Sequence, residues 1–188
     1  MFSIFLFVII FRFANTSNIF NILFPDSKRS LKSGSIMYPK WHILYGAIFS
    51  VLVLLIFPSV GLLSTAIILL SSVLIDVDHY IFYVHRYKDK SLKHAYKWFS
   101  ERGKTLRRLD LEKREKFEQT LLIFHGIECW IIIAAMMLLS RLFFFVLIGF
   151  LFHVILDLVD LYLNNDPVYH KLSQIYTYKR NKNKRRYD

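Results

Sequence analysis

Long apolar blocks occupy residues 42–57, 60–77, 120–139 and 142–163, and most charged positions fall between or outside them. At 1.5 Å per helical residue, blocks of this length span roughly 24–33 Å, against ~30 Å for a bilayer core. The breaks at Pro58-Ser59 and Ser140-Arg141 are very short, so each joins two antiparallel helices. The pattern predicts an all-α, polytopic membrane protein with four main transmembrane helices arranged as two hairpins.

The flanks read differently. Residues 1–24 begin with an apolar stretch of about a dozen positions that Arg12 interrupts. It has no basic n-region and no small-residue cleavage site, so a signal peptide is not expected; a fifth, short span and a segment lying in the interface both remain open. A polar, Ser-rich linker runs to residue 40. Residues 1–40 are therefore set apart from a membrane-embedded domain at 41–179 and a basic tail at 180–188, expected to lack fixed structure. Inside the domain, the loop 86–118 carries twelve Lys and Arg against six Asp and Glu. Its apolar positions, Leu92, Ala95, Tyr96, Phe99, Leu106, Leu109 and Phe117, recur near helical spacing with a gap around Gly103. Two readings fit this loop: amphipathic helices on an anionic membrane surface, or a solvated charged linker.

Charge sets the orientation. The 188 residues are 55% hydrophobic, yet 25 Lys and Arg stand against 14 Asp and Glu, a formal net charge of +11. The segment before the first block, the loop 86–118 and the tail all hold excess Lys and Arg, whereas the two tight turns hold only Arg141. Four spans put all three basic segments on one side, which the positive-inside rule makes cytoplasmic. The expected location is the cell membrane, with anionic inner-leaflet lipids as partners. Basic charge confined between apolar blocks does not suggest nucleic acid. A single cysteine, Cys129, excludes an intramolecular disulfide and a Cys-based zinc pattern.

The ionisable residues of the blocks share a depth. His42 opens the first; Asp76, Asp78 and His79 close the second; His125 and Glu128 lie early in the third; His153, Asp157 and Asp160 lie late in the fourth. The hairpin topology places all of them in the cytoplasmic half. His125 with Glu128 and His153 with Asp157 are spaced i, i+3 and i, i+4, each pair on one helix face. An Asp at membrane depth costs on the order of 2.5–3.5 kcal/mol on insertion scales. No Lys or Arg within the blocks balances these carboxylates. A bound cation, a shared proton or protonated His must do so, and a divalent metal is the economical choice: His nitrogen with carboxylate oxygen suits zinc, manganese or iron.

These motifs resemble a known family. His42 at the start of the first helix, Asp76-Val77-Asp78-His79 at the end of the second, Phe124-His125-Gly126-Ile127-Glu128, and His153 with Asp157 in a later helix look like the YdjM-type (DUF457) membrane-bound metal-dependent hydrolases, over about residues 40–180. Gly126 stands where that family commonly has Ser. The resemblance implies a membrane-bound metal-dependent hydrolase. On this reading His42, Asp78, His79, His125, His153 and Asp157 are the expected metal ligands, and Asp76 and Glu128 the expected outer or general-base groups. The chemistry this implies is hydrolysis of a phosphoester or lipid-linked substrate, with zinc as the first choice of metal. Two other classes fit the same residues: a proton or metal-ion transporter, and a non-catalytic scaffold pinned by a structural metal.

Overall fold

The structure, a computed structural model, describes residues 39–163 and 172–186. The expected N-terminal apolar segment and nearly all of the linker lie outside the described residues. Among the described residues all regular structure is helical: α1 (Pro39–Ile56), α2 (Gly61–Leu74), α3 (Val77–Tyr87), α4 (Leu92–Arg107), α5 (Leu111–Arg114), α6 (Ile127–Met136), α7 (Leu142–Leu163) and α8 (Gln174–Asn181).

α2 lies between α1 and α7, and small residues let the three approach closely. A Cβ on Gly46 of α1 would stand 2.5 Å from Ser72 Oγ, and one on Gly149 of α7 would stand 2.5 Å from the Ile68 carbonyl oxygen. The serines tolerate this apolar setting because their hydroxyls donate back along the helix, Ser71 to the Ile67 carbonyl at 2.7 Å and Ser72 to that of Leu69 at 2.8 Å. Ile75, Ile133, Phe150 and Val154 form a buried core between the end of α2, α6 and α7. Outward faces are apolar as well: Leu55, Leu62 and Leu63 are exposed on α1 and α2.

The four expected spans reduce to two helical stretches long and apolar enough to cross a membrane, Pro58–Tyr87 and Leu142–Tyr162. The first runs through the expected end of its block. At its middle, Asp78 and His79 donate their N–H groups to the carbonyls three residues back, those of Ile75 and Asp76, and this tighter winding separates α2 from α3. The first block forms a shorter apolar helix, as does the third. In the third block, helix begins only at Ile127, because other groups claim the preceding amides. Gln119 N–H goes to Asn181 Oδ1, Leu122 N–H to Gln174 Oε1 and Phe124 N–H to Asp78 Oδ2.

The basic loop folds onto the bundle. Ser91 caps α4 by accepting the His94 N–H, and Ala95 and Leu106 are buried beneath it. The helix runs straight through Gly103, where the apolar spacing has its gap. Arg86 pairs with Glu118 at 2.8 Å, and Arg107 with Asp160 of α7 at 2.6 Å. The described residues beyond Lys179 also take defined structure, contrary to expectation: α8 continues to Asn181, and Arg185 exchanges backbone hydrogen bonds with Lys116 and Glu118, both at 2.8 Å. Backbone pairing with the loop supplies the order that a charged tail alone would lack.

Candidate metal centre

Four separate pieces of chain bring chemistry to one end of the bundle. α1 carries His42 near its start. The α2–α3 junction carries Asp76, Asp78 and His79. A 3₁₀ turn at Ile123–His125 presents His125, and α7 presents His153 and Asp157 one turn apart on one face. His42, Asp78, His125, His153 and Asp157 are buried, while the side chains of Asp76 and His79 keep 28% and 29% of their surface exposed.

Asp157 is the hub. Its Oδ1 lies 3.3 Å from His42 Nε2; its Oδ2 lies 3.3 Å from His125 Nε2 and 3.7 Å from His153 Nε2. Asp76 Oδ1 is 3.4 Å from His153 Nε2, 3.6 Å from His125 Nε2 and 3.4 Å from His79 Nδ1. The His42 ring stacks on His153 with centroids 4.3 Å apart, and His125 stands edge-on to His153 and to His79, each at 5.3 Å.

Outer contacts orient the rings. His153 Nδ1 is 2.7 Å from the Ser72 carbonyl oxygen, which only accepts, so Nδ1 carries a proton and the neutral ring turns a lone pair on Nε2 inward. His125 does the same against a carboxylate, its Nδ1 at 3.0 Å from Asp78 Oδ2. The inward atoms His42 Nε2, His125 Nε2 and His153 Nε2, and His42 Nδ1 beside them, are buried and meet no hydrogen-bond partner. Each such atom costs about 1–3 kcal/mol if left so. Lone pairs converging with carboxylate oxygens are the donor set of a divalent cation. Ligands ~2.0–2.1 Å from a tetrahedral ion stand ~3.3–3.4 Å from one another, and the spacings here are 3.3–3.7 Å. Two groups of three, His42 with His153 and Asp157, and Asp76 with His79 and His125, could each hold a metal ion.

Of the eight residues expected at the site, seven meet here and Glu128 does not. Its carboxylate accepts the Ser173 hydroxyl at 2.6 Å and the backbone N–H groups of Gln174 and Ile175, both at 3.2 Å, and so holds the start of α8. The outer or general-base role expected for it is therefore corrected to an anchoring one. Asp76 and Asp78 exchange their expected places. Asp78, expected as a ligand, has both oxygens occupied: Oδ1 with His79 Nδ1 at 3.1 Å, Oδ2 with His125 Nδ1 and, at 3.1 Å, the Phe124 N–H. Asp76, expected further out, puts Oδ1 among the ring nitrogens. The tightened winding between α2 and α3 produces this exchange, since it turns Asp76 inward and Asp78 toward the 3₁₀ turn. Asp160, one turn beyond Asp157, goes to Arg107 instead.

Three participants escape the motif reading. The Ser72 carbonyl is backbone and leaves no trace in sequence. Phe99 of α4 packs edge-on against His79 with centroids 5.0 Å apart, and Arg107 draws α4 to α7. The apolar spacing of the loop signals that α4 has an inner face but not what that face covers. No family model matches the chain, and no curated protein and no solved structure matches it.

Proposed function

We propose that this chain is a membrane-bound, metal-dependent hydrolase acting on a phosphoester or lipid-linked substrate at the cytoplasmic face of the cell membrane. The observation that carries this reading is the convergence of buried imidazole nitrogens, none of them hydrogen-bonded, on the Asp157 and Asp76 carboxylates, with Asp76 and His79 leaving one side exposed. A saturated, closed site marks a structural metal; an exposed side leaves room for water and substrate. Zinc is the first choice for such donors, with manganese or iron as alternatives. A bound ion would lower the pKa of a coordinated water toward ~7 and polarise the scissile group. His42, His153 and Asp157, or Asp76, His79 and His125, would hold the ion, with Asp78 and the Ser72 carbonyl fixing the ring orientations of His125 and His153. The motif resemblance to YdjM-type hydrolases supports the same reading.

In this proposal the two shorter apolar helices join the two long ones as four crossings. The basic loop and C-terminus lie in the cytoplasm beside anionic lipids. The far turns at 57–61 and 138–142 contain no His or carboxylate to pass a proton or ion onward, which disfavours transport. Purified protein should contain stoichiometric divalent metal and cleave at least one member of a phosphoester and phospholipid panel. Chelation should abolish turnover and zinc or manganese should restore it, while His94→Ala, in the loop, should retain metal. Protein that neither carries nor binds divalent metal would sink the reading. Reporter fusions at residue 100 and at the C-terminus should both face the cytoplasm; opposite sides would sink the topology.

A further inference from the structure

We infer that the centre holds two divalent cations side by side, one in each donor group. This rests on the metal-binding reading above and goes beyond it in nuclearity. His42 is the first reason. It is 5% exposed, and neither ring nitrogen has a hydrogen-bond partner. A single ion placed between His125, His153 and Asp157 Oδ2 does not explain it, because His42 Nε2 approaches the other carboxylate oxygen, Oδ1. An ion on the Oδ1 side, at the Nε2 edges of the His42 and His153 rings, does explain Nε2. His79 and Asp76, with His125, form the second group on the half-exposed side.

The groups share a border. His125 Nε2 lies 3.3 Å from Asp157 Oδ2, and His153 Nε2 lies 3.4 Å from Asp76 Oδ1. Asp157, with one oxygen turned to each side, is placed to bridge ions at the ~3.5–4 Å separation typical of two-metal hydrolytic sites. Charge is the second reason. Asp76, Asp78 and Asp157 bring three negative charges among four imidazoles. One dication leaves this cluster net negative; two dications with a shared hydroxide bring it to zero, which burial favours. Such a pair fits the two non-bridging oxygens of a phosphoester, one on each ion.

The test is stoichiometry and spin coupling on the full-length protein in detergent. Stripped of metal and titrated with zinc, it should bind two equivalents per chain. Loaded with manganese, it should give an exchange-coupled paramagnetic resonance signal. His42→Ala should leave one equivalent and an uncoupled signal; His79→Ala, at the more exposed group, should do the same and keeps the test alive if the buried variant fails to fold. One equivalent with an uncoupled signal in the unaltered protein would overturn the pair while leaving a single-metal hydrolase standing. No bound metal at all would overturn both. Two equivalents retained in both variants would overturn the assignment of these rings.

Discussion

Where Phe57, the Pro58–Val60 turn and Gly61 join α1 to α2, the chain closes on itself. Val60 donates to the Phe57 carbonyl at 3.0 Å, the Gly61 N–H goes to the Pro58 carbonyl, and Gly61 takes the positive φ of 73° that the turn requires. Leu62 turns outward, 77% exposed, and at the other tight turn Leu138 is 90% exposed. At the opposite end of the same helices, His42 and the α2–α3 junction turn polar atoms inward, to partners far along the chain. Phe124 N–H reaches Asp78 across 46 residues and His153 reaches the Ser72 carbonyl across 81. The turn end is satisfied locally; the cluster end exists only as a tertiary object. Substitutions other than at Gly61 should therefore be tolerated at the first and felt across several helices at the second.

The largest expected difference between the ends is in metal binding. Asp157→Asn removes the charge at the hub while keeping its size, and should weaken zinc binding by more than ~100-fold, beyond the range seen when only an orienting partner is lost. Ser140→Ala, at the Leu138–Leu142 turn, should bind zinc as the unaltered chain does. Equal losses in a zinc titration would erase the contrast. Asp78→Asn should cost less, about 10–100-fold, because it disturbs the orientation of His125 and not a ligand itself; it should also raise hydrogen exchange at Phe124. A loss as deep as that of Asp157→Asn would return Asp78 to the ligands.

Arg107→Ala separates α4 from α7. Loss of a charged, partly buried hydrogen bond should lower stability by about 1–3 kcal/mol, read by denaturant unfolding, with the zinc stoichiometry of the folded protein unchanged. A variant of unaltered stability would show that the pair does not hold the cover in place. The smallest effect belongs to the start of α4. The Ser91 N–H, and after it the His94 imidazole, hold the Asp89 carboxyl below its ordinary value of 3.8. A lowered carboxyl contributes stability above its unfolded value and loses it as pH falls through its folded one. Amides at 91–95 should thus be better protected in the unaltered chain than in Asp89→Asn at neutral pH, and equally protected in strong acid. A difference independent of pH would place the effect elsewhere.

Much of the centre could be read from residue types alone, because carboxylates and imidazoles at one depth of apolar helices need a shared explanation. His42, His125, His153 and Asp157 come together for that reason. What sequence could not show depended on local winding. The spacing of Asp76 and Asp78 is the same whichever of them faces inward, and only the i, i+3 bonds between α2 and α3 decide it. Glu128 shares a helix face with His125 only if residues 125–128 are helical, and the chain there is a 3₁₀ turn followed by extended Gly126. The third block shows the same limit. Its apolar length suggests a full span, but amides captured by Asp78, Gln174 and Asn181 keep residues 119–124 from joining α6.

That captured segment imposes a schedule on biosynthesis. Leu122 waits for Gln174, made 52 residues later, and Gln119 for Asn181, made 62 residues later. Asp78 is already in place when Phe124 and His125 emerge from the ribosome. The segment carrying His125 therefore meets its upstream partner before its downstream ones are made. α8 thus holds the backbone that leads into His125, although neither Gln174 nor Asn181 contributes a donor to the centre.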